Sequence, residues 1–239
     1  ELGLLDDYTL FVIGTVMEED LDGYGLQFAI EKSLPKLDGV CLGEPTNMGV
    51  YRGHRGRMEI SVRAGGKSCH ASAPERGVNP IYKMGPLVSA IEKLNNRLKP
   101  DPFLGKGTVA VTKIDCSTPS LNAVADECVI YLDRRLTAGE SAKSSIAEIK
   151  ALKEAKGMKV GILDYETRSY TGQKVETDKY FPTWVLPESH ALVRAGADAA
   201  RQVLGRKPRI GRWVFSTNGI SSMGRLGVRT ESGSEVEYN

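Results

Sequence analysis

The apolar positions of this chain change their period along its length, and each change predicts a different element. Residues 8–16 form an almost unbroken apolar run, Tyr-Thr-Leu-Phe-Val-Ile-Gly-Thr-Val. Its length and β-branched content predict a strand covered on both faces, as in a parallel sheet. The acidic stretch Glu18-Glu19-Asp20 follows, then a short helical segment over 24–32. A second apolar piece, residues 39–43, ends at Glu44-Pro45-Thr46. The order is β-α-β, with both strands running into carboxylates.

The texture changes near Gly53. Residues 57–64 alternate polar and apolar, as a strand with one wet face does. A loop punctuated by Gly and Pro leads through Pro74 and Gly77 to a predicted helix over 80–99. On it Ile81, Met84, Leu87, Val88, Ile91, Leu94 and Leu98 recur near helical spacing. Strands are predicted at 107–114 and 128–132, a helix at about 141–155 and a further strand at 158–163. This βαββαβ order describes a ferredoxin-like α+β sandwich. Residues 170–187 read as loop, 189–204 as an alanine-rich helix, and 213–215 as a short strand before Ser216-Thr217-Asn218-Gly219. The fold class is therefore α/β. A small domain over 53–168 is expected to be inserted into a larger one, whose flanking parts, 1–52 and 169–239, are both incomplete.

Composition narrows the partners. The chain has 32 basic and 30 acidic residues, a net charge of +2, which gives no electrostatic reason to expect nucleic acid. The local basic group Arg201, Arg206, Lys207, Arg209 and Arg212 has no aromatic ladder with it and reads as a solvated helix end. No apolar run reaches the length of a membrane span and no signal peptide is read, so a cytoplasmic protein is expected. Cys41, Cys69, Cys116 and Cys128 form no CxxC pair and no zinc-finger spacing, which suits a reducing compartment and ordinary burial.

Candidate chemistry rests on carboxylates and three histidines. Glu18 and Glu19 are adjacent, so their side chains diverge; one can bind a metal while the other takes a proton from metal-bound water. Glu44 closes the next strand, and sites in parallel sheets gather at strand C-terminal ends. Spacing alone also fits a solvated acidic loop. His70 lies in a loop of small residues, Gly65 to Pro74, with room for a substrate, and equally suits a hydrogen-bonded surface group. His54, among Arg52, Arg55 and Arg57, reads as structural, and His190 begins a helix. HExxH, a GxSxG elbow and a phosphate-binding glycine frame are all missing from the sequence.

Three segments together strongly resemble the M20 metallopeptidase family, the group of acetylornithine deacetylase, succinyl-diaminopimelate desuccinylase and glutamate carboxypeptidase. They are Gly14-Thr15-Val16-Met17-Glu18-Glu19, Gly43-Glu44-Pro45-Thr46, and Gly66 to Pro80 with His70 at its centre. Ser120-Leu121-Asn122-Ala123 and Asp133-Arg134-Arg135 match later segments, and the likeness runs from about residue 8 to 225, nearest to the YgeY-type branch linked to selenium metabolism. The resemblance implies a zinc-dependent amide hydrolase with two ions per complete site, cobalt or manganese being alternatives. Glu18 would be the general base, Glu19 and Glu44 metal ligands, and His70 an oxyanion-stabilising residue reaching across a homodimer formed through the lid domain. Asn122 would contact substrate from the lid, Arg135 would grip a substrate carboxylate, and Asn218 and Gly219 would line the pocket.

The pattern also departs from the family. The His-x-Asp ligand and bridging aspartate expected before the Glu-Glu pair are not in the sequence, and no histidine follows His190. The tail from Gly227 to Gly233 starts like the family's turn, then lacks the apolar strand expected after it. A chain truncated or altered at both ends is expected, with weak or absent zinc binding and activity belonging to a full-length parent. The alternative is an inactive relative acting only through its dimerisation domain.

Overall fold

The computed structural model describes residues 8–228 and the backbone of 230–234. Residues 1–7, 229 and 235–239 lie outside it, and with them the opening Glu1-Leu2-Gly3 and part of the tail. The strand expected at 8–16 is corrected: the run takes no regular structure, and Tyr8 and Val12 are 76% and 90% exposed. Among the described residues no strand lies beside it, so it gains neither ladder hydrogen bonds nor a covered face. The helix α1 (Tyr24–Lys32) and strand β1 (Val40–Glu44) form where the pattern places them. A third element, β2 (Val50–His54), buries Val50, Tyr51, Gly53 and His54.

The next stretch builds the βαββαβ unit. Its elements are β3 (Gly56–Gly65), α2 (Pro80–Arg97), a small hairpin of β4 (Pro100–Asp101) and β5 (Gly105–Lys106), then β6 (Thr108–Ser117), β7 (Glu127–Leu136), α3 (Ala142–Lys150) and β8 (Lys159–Ile162). The sheet is antiparallel in the order β8-β3-β7-β6, with β3 and β7 paired along ten residues each. Asn79 caps α2 by accepting from Ile81 N, and Pro80 sits in the first turn, where its missing N–H costs nothing. Pro86 stands inside the helix on its exposed side, so the carbonyl it leaves free faces water. Met84, Leu87, Ile91 and Leu94 are the buried stripe, packed on Ile60, Val62, Ile130 and Leu132 of the sheet. Burying each such side chain fully contributes about 1.5–3 kcal/mol, so this is the largest store of stability among the described residues.

The third stretch corrects the sequence reading in several places. Residues 170–187 are not a plain loop. They carry β10 (Lys174–Asp178), which pairs with β9 (Asp164–Arg168), then β11 (Tyr180–Phe181) on β3 and β12 (Trp184–Val185) on β2. β10 is mostly polar, and β11 and β12 are two residues each, too short to show the alternation by which strands are read. The helix α4 (Ala191–Leu204) is followed by β13 (Ile210–Trp213), three residues earlier than expected, because Gly211 pairs with Tyr51 while Val214 is left exposed. The helix expected to run to 155 ends at Lys150 and continues as a single 3-10 turn, Lys153–Ala155. The tail also forms a strand: the backbone of β14 (Thr230–Ser234) lies parallel to β1 and touches β2 at Tyr51. Ladder hydrogen bonds join main chains, so a polar segment can pair where a neighbour is waiting. The smaller sheet thus runs β1-β14-β2-β12, with β13 also on β2.

Candidate active site

A single leucine anchors the acidic turn. Leu21 is fully buried against Val175, Phe181 and Ile220, and its N–H bonds to Met17 O at 3.0 Å. Met17 takes a φ of 63° to make that turn, and Lys179 Nζ donates to Asp20 O at 3.1 Å from the other side. Glu18, Glu19 and Asp22 are thereby held next to the end of β1, where Glu44 stands. The turn closes at Gly23, with φ 75°, where a Cβ would come within 2.6 Å of Ser221 Oγ and 2.9 Å of Asn218 O. Only glycine suits both that backbone and that gap.

The electrostatics follow from this crowding. Burial, then the negative charges of Asp22, Glu44 and Glu19, lift the Glu18 carboxyl to about 7, with Arg57 pulling the other way. Glu44 is raised as well, first by burial and then by Asp22 and Glu19. Asp22 is buried, accepts a hydrogen bond from the Ser216 hydroxyl, and stands 3.5 Å from Arg57 Nε. Arg57 in turn stacks over Phe181 at 4.7 Å. Neither Asp22 nor Arg57 is singled out by the sequence reading. The one signal for Asp22 is its place between buried Leu21 and Gly23.

His54 positions the opposite wall. Its ring is 0% exposed; Nδ1 accepts from Thr217 N at 2.8 Å, and Nε2 lies 3.4 Å from Pro182 O. A ring nitrogen that accepts from a backbone N–H carries no proton itself, so Nε2–H is the donor to Pro182. Burial holds the imidazole down at about 3, neutral at ordinary pH. Through Thr217 the histidine fixes the Asn218-Gly219 segment. Asn218 Nδ2 donates to Thr15 Oγ1 at 3.4 Å, just ahead of the acidic turn, and Gly219 packs against the Trp184 indole.

The remaining expected site residues sit on the other unit. His70 and Asn122 meet there: Ala71 N donates to Asn122 O at 2.8 Å, and His70 bridges backbone to backbone with Ala123. The His70 ring is exposed and bonds Ser72 Oγ at 2.8 Å, while Asn122 Oδ1 accepts from Ser120. Arg135 grips Asp133 with two bonds, Nε to Oδ1 at 2.7 Å and Nη2 to Oδ2 at 3.0 Å. Among the described residues no hydrogen bond or ion pair joins His70, Asn122 or Arg135 to Glu18, Glu19 or Glu44. The structure brings His70 and Asn122 together, while Arg135, towards the far end of β7, is the direct cross-strand partner of Arg57.

Glu19 and Glu44 offer oxygen donors of the kind a divalent cation accepts. Among the described residues, however, no three His, Cys, Asp or Glu side chains stand together as a metal site needs. All three histidines are also placed elsewhere: His54 in the core, His70 on the exposed loop between β3 and α2, and His190 capping α4 through Leu192 N. The described residues alone do not complete a zinc centre.

Residues 52–160 match the peptidase dimerisation domain of the M20 group. Over that segment the chain resembles the M20 peptidases. It is 47% identical over 230 residues to the Escherichia coli protein YgeY, covering 95% of this chain and 57% of YgeY. Acetylornithine deacetylase of Pectobacterium carotovorum is 25% identical over 213 residues, covering 84% of this chain and 50% of that enzyme. The fold superposes on a Staphylococcus aureus tripeptidase with a TM-score of 0.67 at 20% identity, across 92% of this chain and 54% of that one. The chain thus spans little more than half the length of these M20 relatives. No helix among its described residues is long and apolar enough to cross a membrane.

Proposed function

We propose that this chain serves an M20 hydrolase that cleaves an amide bond in an N-acyl amino acid, a dipeptide or a related substrate bearing a free carboxylate. The gathering of Glu18, Glu19, Glu44 and Asp22 beside Arg57 carries this reading. A general base that works near neutral pH needs a proton affinity near that pH, and a carboxylate half-buried and then crowded by others has it. In this reading Glu18 takes the proton of the attacking water and passes it to the departing nitrogen. Asn218 and Gly219 line the pocket. Zinc is the cofactor proposed for the complete protein, with Glu19 and Glu44 among its ligands. His70 and Asn122 reach substrate from the lid of a homodimer, the histidine serving the partner's site. Arg135 binds the substrate carboxylate by exchanging its bonds with Asp133.

The test is a calorimetric zinc titration of the purified chain and of Glu19→Ala and Glu44→Ala, followed by hydrolysis of N-acetyl amino acids by the chain and by Glu18→Gln. Binding lost in both alanine variants and turnover lost in the Gln variant support the assignment. Zinc binding untouched by either alanine overturns it. A second reading has its own observation: the βαββαβ unit has a full core, while among the described residues no three potential ligands stand together as a metal site. In that reading the chain acts only by pairing through its dimerisation domain. A dimer in sedimentation that binds no zinc and hydrolyses nothing would favour it.

A further inference from the structure

The two central cysteines, read from sequence as unrelated, are in contact. Cys116 on β6 and Cys128 on β7 are direct cross-strand partners, with their sulfur atoms 3.2 Å apart. One extra residue, Thr112, makes this possible. The register shifts between Val111 and Lys113; without that bulge Cys116 would face Glu127, with its side chain on the other side of the sheet. Directly opposed residues of an antiparallel pair have Cα atoms about 4.5 or 5.5 Å apart, and both separations lie within the range a disulfide spans. Cys116 is exposed and Cys128 is buried, so one thiol meets solvent while the other waits behind it.

We propose that Cys116 and Cys128 form a reversible disulfide site that responds to small-molecule disulfides. The Cys116 thiolate attacks one sulfur of the incoming disulfide. That S–S bond breaks and one small thiolate leaves with the Cys116 proton. The Cys128 sulfur, giving its proton to the second leaving thiolate, then attacks Cys116 and displaces it. The net exchange turns two protein thiols and one small disulfide into one protein disulfide and two small thiols. Burial and the Cys116 contact push the Cys128 thiol up to about 12, which disfavours it as the first nucleophile; its contact with Cys116, not its ionisation, favours the second, intramolecular step.

The bond would close the base of a loop that matters. β6 ends at Ser117 and β7 begins at Glu127, so the pair clamps the stem of residues 118–126, which carry Asn122 and contact the His70 loop. In the reduced chain that stem is held by one edge strand. The disulfide makes the loop harder to open and cut.

The experiment incubates the full chain with glutathione disulfide, quenches, alkylates free thiols and maps them by mass spectrometry. The expected product is one internal disulfide joining the peptides of Cys116 and Cys128, reversed by reduced glutathione, with Cys41 and Cys69 still alkylated. Limited proteolysis within 118–126 should slow on oxidation. Cys116→Ser should abolish both effects, and Cys69→Ser neither. A stable glutathione adduct on Cys116, or four alkylated thiols after incubation, would overturn the proposal.

Discussion

His54 makes a sharp prediction about acid stability. Its imidazole titrates at 6.5 ordinarily and at about 3 in the folded chain. A base whose folded value is depressed contributes stability that is fully present above 6.5 and is lost as pH falls towards 3, because the unfolded chain takes up the proton first. Each pH unit in that window is worth about 1.4 kcal/mol, so the ceiling is about 5 kcal/mol. The perturbation is His54→Asn, whose amide oxygen can take the place of Nδ1 and accept from Thr217 N. The variant should be weaker at neutral pH by about 1–3 kcal/mol, through lost packing on Trp184 and the lost Pro182 contact. Moving from about pH 7.5 to about pH 5, the wild type should give up about 2 kcal/mol that the variant keeps. Urea unfolding followed by tryptophan fluorescence measures both, since Trp184 stacks near His54 with ring centroids 5.4 Å apart. Carboxylates that titrate in the same window are common to both proteins and cancel in the difference. Parallel stability curves for the two across that range would refute the argument.

Glu18→Gln should run the other way. An acid raised from 4.5 to about 7 is most compatible with the fold below 4.5, and that advantage is lost as pH rises through 7. The variant should therefore gain on the wild type between about pH 4.5 and pH 8, by about 1 kcal/mol once solvent screening of a half-buried group is allowed for; urea midpoints at the two pH values check it. Gly219→Ala puts a Cβ 2.4 Å from Trp184 Nε1 in a buried contact, and should cost about 1–3 kcal/mol with a change in the folded-state fluorescence. Leu132→Ala removes a fully buried side chain from the centre of the larger core, at about 2–5 kcal/mol in chemical denaturation.

The fold was legible where local pattern and long-range partner agree. In the βαββαβ unit β3 and α2 have a period that matches the face they bury, so spacing places them to within a few residues. Residues 8–16 have the stronger strand pattern and form none, whereas Thr230–Ser234 has almost no pattern and pairs with β1. Strand formation needs a neighbour as much as a composition, and neighbours are not written in the segment itself. The same holds for Cys116 and Cys128. Their contact depends on a one-residue bulge four residues before Cys116, which no reading of cysteine spacing reveals.

The candidate site obeys the same rule at the level of single side chains. Glu44 can be picked out by its place at the end of β1, whereas Glu18 is picked out by the family resemblance, since the strand expected before it does not form. What makes them a group is Leu21, and Leu21 looks in the sequence like any aliphatic residue between two acids. Its burial among Val175, Phe181 and Ile220 ties the acidic turn to segments more than 150 residues away. Asp22 then follows of necessity: with Leu21 turned inward and Gly23 in the left-handed region, its carboxylate is driven under Arg57 and Ser216. A buried carboxylate cannot stay charged without such partners, and once charged it raises the proton affinity of Glu18 beside it. The proton affinity proposed to matter for catalysis thus follows first from burial of Glu18 and then from the acids gathered round it, rather than from the Glu18-Glu19 pair alone.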